Sequence, residues 1–332
     1  MARRKKSEKT HFRTSTARYK PQKYRKRETT ANRAKTEEKT DLGGVTTVII
    51  SLTVLIALIV WNSVRGTVYT PADDKLRVYF VDVGQGDCIY ISCGDESMLI
   101  DCGEKSEHRD VIRYLNREEV TKLKYVIATH PHSDHMGGMS KILEEFPTEE
   151  VIIPPLTKEA IPLTYFFEDF VDVIEEKNIT LTEAKVGMKG KIGDAEWRII
   201  SPTKCDEGNL NNCSVSIILK HGKNNFCLTG DSEEEAEKTM AYSGVTEDVD
   251  VFKAAHHGGV TSNTELFLTM IRPEIVVISC GEDNSYGHPN PEVLKRFETY
   301  ADEIYRTDED GNVVIESNGE ELNVLKKEGS LW

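Results

Sequence analysis

Three of the nine histidines of this 332-residue chain fall within six residues, in the segment Thr129-His130-Pro131-His132-Ser133-Asp134-His135. With Asp134, four side chains able to hold a metal ion share one short stretch. His130 and His132, two positions apart, can share a face, while Asp134 and His135 belong to the turn that follows and can face a neighbouring point. Imidazole and carboxylate are ligands that zinc and manganese take. A single histidine is more often a surface group or a satisfied polar residue. Four such groups at this spacing point instead to bound cations.

Chemistry of this kind needs a scaffold that aims it. Residues 124–129 form a short apolar run rich in β-branched residues and read as a buried strand ending at His130, where loops commonly carry functional groups. Upstream, a period-two pattern over 76–83, 87–92 and 97–101 predicts three strands joined by Gly-rich turns. A helix is predicted over 109–116, and two more over 136–146 and 158–177. The aromatic cluster Tyr165, Phe166, Phe167 and Phe170 reads as the buried face of the last of these. Further strands are predicted near 195–201, 214–220, 225–230, 250–255 and 274–280, and helices near 232–242, 263–271 and 291–302. A small β finish spans 311–325. Sheets flanked by helices in both halves imply a layered α/β domain.

The spacing H-x-H-x-D-H closely resembles the signature of the metallo-β-lactamase superfamily, and other segments resemble that superfamily in the same order. Asp101, in Leu99-Ile100-Asp101-Cys102-Gly103, matches its early aspartate under the metal site. Asp231, in Leu228-Thr229-Gly230-Asp231, matches its bridging carboxylate, and His256 with His257 its final histidine motif. The chain is similar, more narrowly, to the extracellular hydrolase domain of the ComEC competence-protein family. The shared phrases are Phe80-Val81-Asp82-Val83-Gly84-Gln85-Gly86-Asp87, Asn211-Asn212-Cys213-Ser214, His256-His257-Gly258-Gly259 with Ser262 after it, and Tyr286-Gly287-His288-Pro289-Asn290-Pro291. The resemblance covers about residues 76–318.

This resemblance implies an αββα sandwich of the metallo-β-lactamase type holding two divalent ions, zinc or manganese. His130 and His132 would hold one ion, Asp134, His135 and His257 the other, and Asp231 would bridge them. His256 would stabilise the transition state or protonate the leaving group, with Asp134 and Asn212 also placed in catalysis. The sequence alone leaves open which of His256 and His257 is the ligand. Ser214 and His288 would meet the substrate, and Asp82, Asp87 and Asp101 would support the ligands from behind. Acidic residues at Gly-rich turns also commonly just satisfy the backbone.

Two features depart from the pattern. Many superfamily members place a third histidine between the positions of His135 and Asp231, whereas the only histidine here in that interval is His221, in the turn-like Lys220-His221-Gly222-Lys223. The family puts Asn212 at that place, a weaker neutral ligand that suits a harder ion such as Mn²⁺. ComEC proteins also carry a many-helix membrane channel, and this chain offers one apolar span.

That span is residues 45–64, twenty residues without a charge. At about 1.5 Å per helical residue they match a hydrocarbon core of roughly 30 Å. No small-x-small cleavage site follows, so a retained transmembrane helix is expected rather than a signal peptide. Residues 1–41 hold fifteen Lys or Arg against five Asp or Glu, leaving 27 basic and 51 acidic residues for the remainder. The positive-inside rule then puts the tail in the cytoplasm and the acidic body outside. A basic tail can also attract nucleic acid, but orientation and anionic-lipid contact are its commoner uses. The expected organisation is a cytoplasmic tail (1–44), a transmembrane helix (45–64), a linker (65–75) and a hydrolase domain (76–332). Seven cysteines form no C-x-x-C pair, and Cys205 with Cys213, flanking a polar loop, could be bridged in an extracellular setting.

The expected function is a membrane-anchored extracellular phosphodiesterase or nuclease acting on DNA, related to competence and DNA uptake. A body with a formal charge of −24, from those 27 basic and 51 acidic residues, should repel a polyanion. A small phosphodiester, such as a choline-phosphate or nucleotide ester, is therefore an alternative, and β-lactam or lactone hydrolysis comes third. A non-catalytic surface binding protein is the answer of a different class. No protein partner is evident from the sequence.

Overall fold

The computed structural model describes residues 74–205 and 208–326. The expected basic tail, the transmembrane segment and the linker up to residue 73 lie outside the described residues. Among the described residues no helix is long and apolar enough to cross a membrane.

Strands β1 (Leu76–Phe80), β2 (Ile89–Cys93) and β3 (Glu96–Ile100) form an antiparallel meander. From β3 the sheet continues in parallel through β4 (Leu123–Ile127), β5 (Thr148–Ile153) and β6 (Thr180–Glu183). Helices α1 (His108–Arg117), α2 (Ser133–Met136), α3 (Met139–Glu145) and α4 (Tyr165–Lys177) make the crossovers. The second half repeats this plan. Strands β7 (Lys189–Ile192), β8 (Ala195–Ser201), β9 (Ser216–His221) and β10 (Asn224–Leu228) are antiparallel. Strands β11 (Val251–Lys253), β12 (Ile275–Ile278) and β13 (Glu303–Arg306) then add in parallel. Between them lie α5 (Glu234–Ser243), α6 (Glu265–Ile271) and α7 (Pro291–Tyr300), followed by the short α8 (Thr307–Asp310). Strands β14 (Val313–Ser317) and β15 (Leu322–Lys326) return to the first sheet beside β1. The sheet orders are β15-β14-β1-β2-β3-β4-β5-β6 and β13-β12-β11-β10-β9-β8-β7.

Alternation along the strands dictates the layering. Leu76, Val78 and Phe80 of β1 join Trp197, Ile217 and Phe226 of the other sheet in one buried cluster, while Tyr79 faces Val111 and Leu115 of α1. In β12, Ile275 and Val277 point inward and Val276 and Ile278 pack under the second set of helices. Two sheets that are apolar on both faces need helices on their outer sides, and the result is an αββα sandwich.

Four strands were not read from the sequence. β6 and β7 sit at sheet edges and expose most of their Thr, Glu and Lys side chains, so they show no apolar alternation. β5 and β13 are also strands outside the ranges predicted. The helix expected over 136–146 is two helices that break at Gly137 and Gly138. A Cβ at Gly137 would lie 2.7 Å from the Lys105 backbone nitrogen, and one at Gly138 3.0 Å from His108 Cβ. The helix expected over 158–177 begins only at Tyr165, since Pro162 lacks the N–H a helix interior needs. Of its aromatic residues Phe167 and Phe170 are buried, whereas Tyr165 is 84% exposed.

Candidate metal centre

The residues singled out for chemistry gather at the carboxyl ends of parallel strands or just beyond them, where open α/β sheets present their sites. Asp101 follows β3, the histidine segment follows β4, Asp231 follows β10, and His256 and His257 follow β11.

Hydrogen bonds behind the rings decide which nitrogen faces the centre. His135 Nδ1 lies 2.8 Å from Asp101 Oδ2, an acceptor, so Nδ1 carries the hydrogen and Nε2 is the lone-pair donor. Asp101 is held in turn by the backbone N–H and hydroxyl of Thr129, at 2.8 and 2.6 Å. His257 Nδ1 lies 3.0 Å from the carbonyl of Ser279 and 3.3 Å from Asp87 Oδ1, which fixes the same tautomer. Asp87 is paired with the buried Lys253 at 2.9 Å. His130 Nδ1 meets the hydroxyls of Thr129 and Ser214, and its Nε2 stands 3.0 Å from His132 Nδ1. Two imidazole nitrogens facing one another at that distance converge on one point.

Asp231 Oδ2 lies at the middle of the constellation. It is 3.2 Å from His135 Nε2, 3.6 Å from His257 Nε2, 3.8 Å from His130 Nε2 and 3.9 Å from His256 Nε2. Ligand atoms of Asp134, His135, Asp231 and His257 all lie within 4.8 Å of one another. One cation at about 2.0–2.2 Å from each would fit that spread. The buried atoms His135 Nε2, His257 Nε2 and Asp231 Oδ1 have no hydrogen-bond partner. Buried polar atoms are ordinarily satisfied, so the two imidazole nitrogens, both facing Asp231 Oδ2, fit a metal between them.

The electrostatics agree. Burial disfavours charge on His135, but the Asp231 and Asp101 carboxylates outweigh it and hold its pKa well above 6.5. Burial likewise works against charge on His257, yet Asp231, Asp134 and Asp87 raise it to about 9. Asp134 falls to about 2 because its contacts with His257 and His135 overcome the effect of burial. Burial and the neighbouring His135 push His130 well below its ordinary value. The carboxylates thus create a strong negative potential at the point the imidazole Nε2 atoms face, and that potential, which holds protons on His135 and His257, equally attracts a metal cation in their place.

The family model of the metallo-beta-lactamase superfamily matches residues 81–282, more than half of the chain. The chain belongs to the metallo-beta-lactamase superfamily. It is 26% identical to ComE operon protein 3 of Bacillus subtilis over 264 residues, covering 74% of this chain and 34% of that protein. It is 28% identical to Recombination protein 2 of Haemophilus influenzae over 244 residues, covering 72% of this chain and 28% of that protein. The chain therefore spans about a third of the length of these relatives. Among solved structures, the metallo-beta-lactamase fold protein YhfI from Bacillus subtilis is 15% identical with a TM-score of 0.48, covering 74% of this chain and all of that one.

Within the metallo-beta-lactamase frame, three expected roles need correction. Asn212 does not face the centre, because its Oδ1 accepts from the backbone N–H groups of Glu233 and Ala236 and so caps α5. Its neighbour Asn211 turns toward the site and reaches within 3.4 Å of His256 Nε2. Ser214 is fully buried, and its hydroxyl meets His130 and accepts from the N–H of Asp231. It positions ligands and is not open to substrate. Asp82 stands apart from the ligands, with its carboxylate accepting from the N–H of Gly84. His288 does stand beside the site, its ring 5.3 Å from that of His256, and burial together with His256 and His257 lowers its pKa to about 4.

Sequence reading missed Lys253 and Glu233, the second of which approaches His256 Nδ1 at 3.3 Å. Lys253 stands three residues before His256, but nothing in its type announced a buried partner for Asp87. Cys205 and Cys213 are disulfide-bonded, with Cα atoms 4.7 Å apart, and staple the loop that carries Asn211.

Proposed function

We propose that the chain is a two-metal hydrolase of phosphodiesters, anchored in a membrane by residues 45–64 with its catalytic domain on the outer face, and that nucleic acid is its substrate class. The convergence of the unpartnered His135 Nε2 and His257 Nε2 on Asp231 Oδ2, at one buried point, carries the hydrolytic part. Similarity to one protein named for recombination and another named for competence supports the nucleic-acid part. The charge-free span and the basic tail before it support the anchor.

His130, His132 and Asp231 would hold one divalent ion, and Asp134, His135, His257 and Asp231 the other, as Zn²⁺ or Mn²⁺. Such a pair of cations supplies an acidified water and neutralises charge on the attacked centre. The chain's own residues do the rest. Asp101, the Ser279 carbonyl and the hydroxyls of Thr129 and Ser214 aim the imidazoles. His256 presents Nε2 to the reacting group, and His288 closes one side of the site.

A second reading has its own support. A cavity of about 840 Å³ is lined by Asp82, Glu104, Glu107, Asp308, Glu309 and Asp310. It is lined also by Asn284, whose amide donates to the carbonyl of His288. An acidic flank of this kind disfavours a long polyanion and suits a small phosphodiester with a cationic group, such as a choline-phosphate ester.

The test uses the full chain, purified in detergent and loaded with Mn²⁺ or Zn²⁺. It should hydrolyse bis(4-nitrophenyl) phosphate and short DNA, and Asp231→Ala should abolish both. Cleavage of DNA should fall steeply with added salt. Undiminished turnover by Asp231→Ala, or activity on lactones or β-lactams alone, contradicts the proposal.

A further inference from the structure

One aromatic ring beside the centre has no part in the hydrolysis described so far. Tyr286 is 69% exposed, yet it is not a loose surface group. Its ring stacks on that of His288, with centroids 5.8 Å apart and planes at 22°. His288 in turn stands 5.3 Å from the ring of His256 and 6.1 Å from that of His257. A series of rings therefore runs from the ligand His257 outward and ends on Tyr286. With one face against His288, the tyrosine leaves most of the other to solvent.

The loop that carries this ring is pinned at both ends. Asn284 Nδ2 donates to the carbonyls of Gly281, at 2.9 Å, and of His288, while Asn284 Oδ1 accepts from the N–H of His288 at 3.0 Å. One side chain thus closes the loop 284–288 around Tyr286, and Gly287, at φ +71°, makes the left-handed turn that brings His288 back beside the tyrosine. A Cβ at Gly259 would lie 3.1 Å from His288 Nε2, so the missing side chain there lets His288 seat against the His256 loop. A ring fixed beforehand in one place loses little conformational freedom when a ligand lies on it. The exposed Glu282 and Asp283 precede the loop. Charge here repels phosphate, and the part of a nucleotide that Tyr286 can hold is the flat, uncharged base.

We infer that Tyr286 is a stacking platform for the nucleobase that flanks the scissile phosphate. This deepens the phosphodiesterase reading above and rests on it. An offset stack of two rings with one open face is an arrangement that a base extends, since every base has a π-face and stacking tolerates any sequence. In a body whose net charge opposes polyanions, stacking supplies affinity for nucleic acid that does not depend on neutralising phosphates. A quaternary ammonium group, the competing occupant, is held by several aromatic faces at once, and Tyr286 presents one.

The experiment measures steady-state kinetics of the full chain, loaded with Mn²⁺, on a thymidine dinucleotide and on two analogues in which hydrogen replaces one base or the other. Tyr286→Ala should raise KM for the dinucleotide about tenfold, with kcat changed by less than about twofold. The loss should vanish on the analogue that lacks the stacked base and persist on the other. Tyr286→Phe, which keeps the ring, should recover most of the loss, whereas Tyr286→Leu, which keeps only an apolar side chain, should not. Fluorescence of 2-aminopurine mononucleotide gives a readout independent of turnover: the parent chain and Tyr286→Phe should quench it, and Tyr286→Ala should not. Equal losses on all three substrates, or full recovery by Tyr286→Leu, would overturn the inference. A larger loss on 4-nitrophenyl phosphorylcholine than on the dinucleotide would assign the ring to a cation and overturn it too. If the parent chain cleaves none of these esters, the phosphodiesterase reading fails by itself, and an unquenched 2-aminopurine signal in that chain would overturn the platform as well.

Discussion

His135 Nδ1 lies 2.8 Å from Asp101 Oδ2, and both side chains are completely buried. The pair sets the tautomer of His135 and aims its other nitrogen at Asp231. Asp101→Asn keeps the shape but removes the anionic acceptor. It is expected to weaken divalent-metal affinity by about 10–100-fold. Calorimetric titration of the stripped protein with Mn²⁺ or Zn²⁺ checks this, and unchanged affinity would dissociate Asp101 from the centre.

The turn at Gly86 touches the metal segment from the other side. With φ of +145°, an added Cβ would lie 2.2 Å from the Asp134 carbonyl oxygen, which accepts from the N–H of Asp87. Gly86→Ala should therefore displace Asp134, lowering both metal affinity and stability. Gly84, at φ +66° with nothing within 4 Å, is the matched control. Gly84→Ala should show only the strain of a left-handed residue, about 1–2 kcal/mol, with metal binding retained.

Asn212→Ala separates capping from catalysis. Loss of its two bonds to the start of α5 should destabilise the fold by about 1 kcal/mol while metal content stays intact. Thermal unfolding beside elemental analysis reads both. A lost metal ion with unchanged stability would restore Asn212 to the ligand set.

Away from the site, Glu316 clamps β14 to the start of the domain through Lys75 at 2.6 Å and Arg77 at 2.8 Å. Burial works against its charge, but the bonds from Lys75 and Arg77 outweigh it and hold its pKa below the ordinary 4.5. Its stabilisation is therefore full above that value and is lost as pH falls through the lower folded one. Glu316→Gln should be less stable than the parent by about 1 kcal/mol at neutral pH, Lys75 being partly solvated. The gap should close below pH 4.5. Unfolding curves in chelator across that range exclude metal release as the cause, and a gap that widens on acidification would refute the assignment.

The ligands were legible because their types are rare and their spacing is local: His130 to His135 need only one strand end to converge. The layered fold was legible for a similar reason, since strands such as β1 and β12 carry their alternation within a few residues. What escaped depends on contacts distant in sequence. Whether Asn211 or Asn212 faces the centre is decided by which of them meets the first amides of α5, some twenty residues later. Ser214 reads as an exposed hydroxyl until Asp231 and His130 enclose it. Glu233 stands in an acidic run, Glu233 to Glu235, in which only the fold distinguishes one carboxylate from the next.

The most direct test of the central claim, a two-metal centre bridged by Asp231, is the metal stoichiometry of the full chain and its Asp231→Ala form after loading with Mn²⁺ or Zn²⁺ and removal of excess. The account predicts two equivalents in the parent chain and one or fewer in Asp231→Ala, with folding retained by circular dichroism. No bound metal in the parent chain, or two equivalents in both proteins, would contradict it.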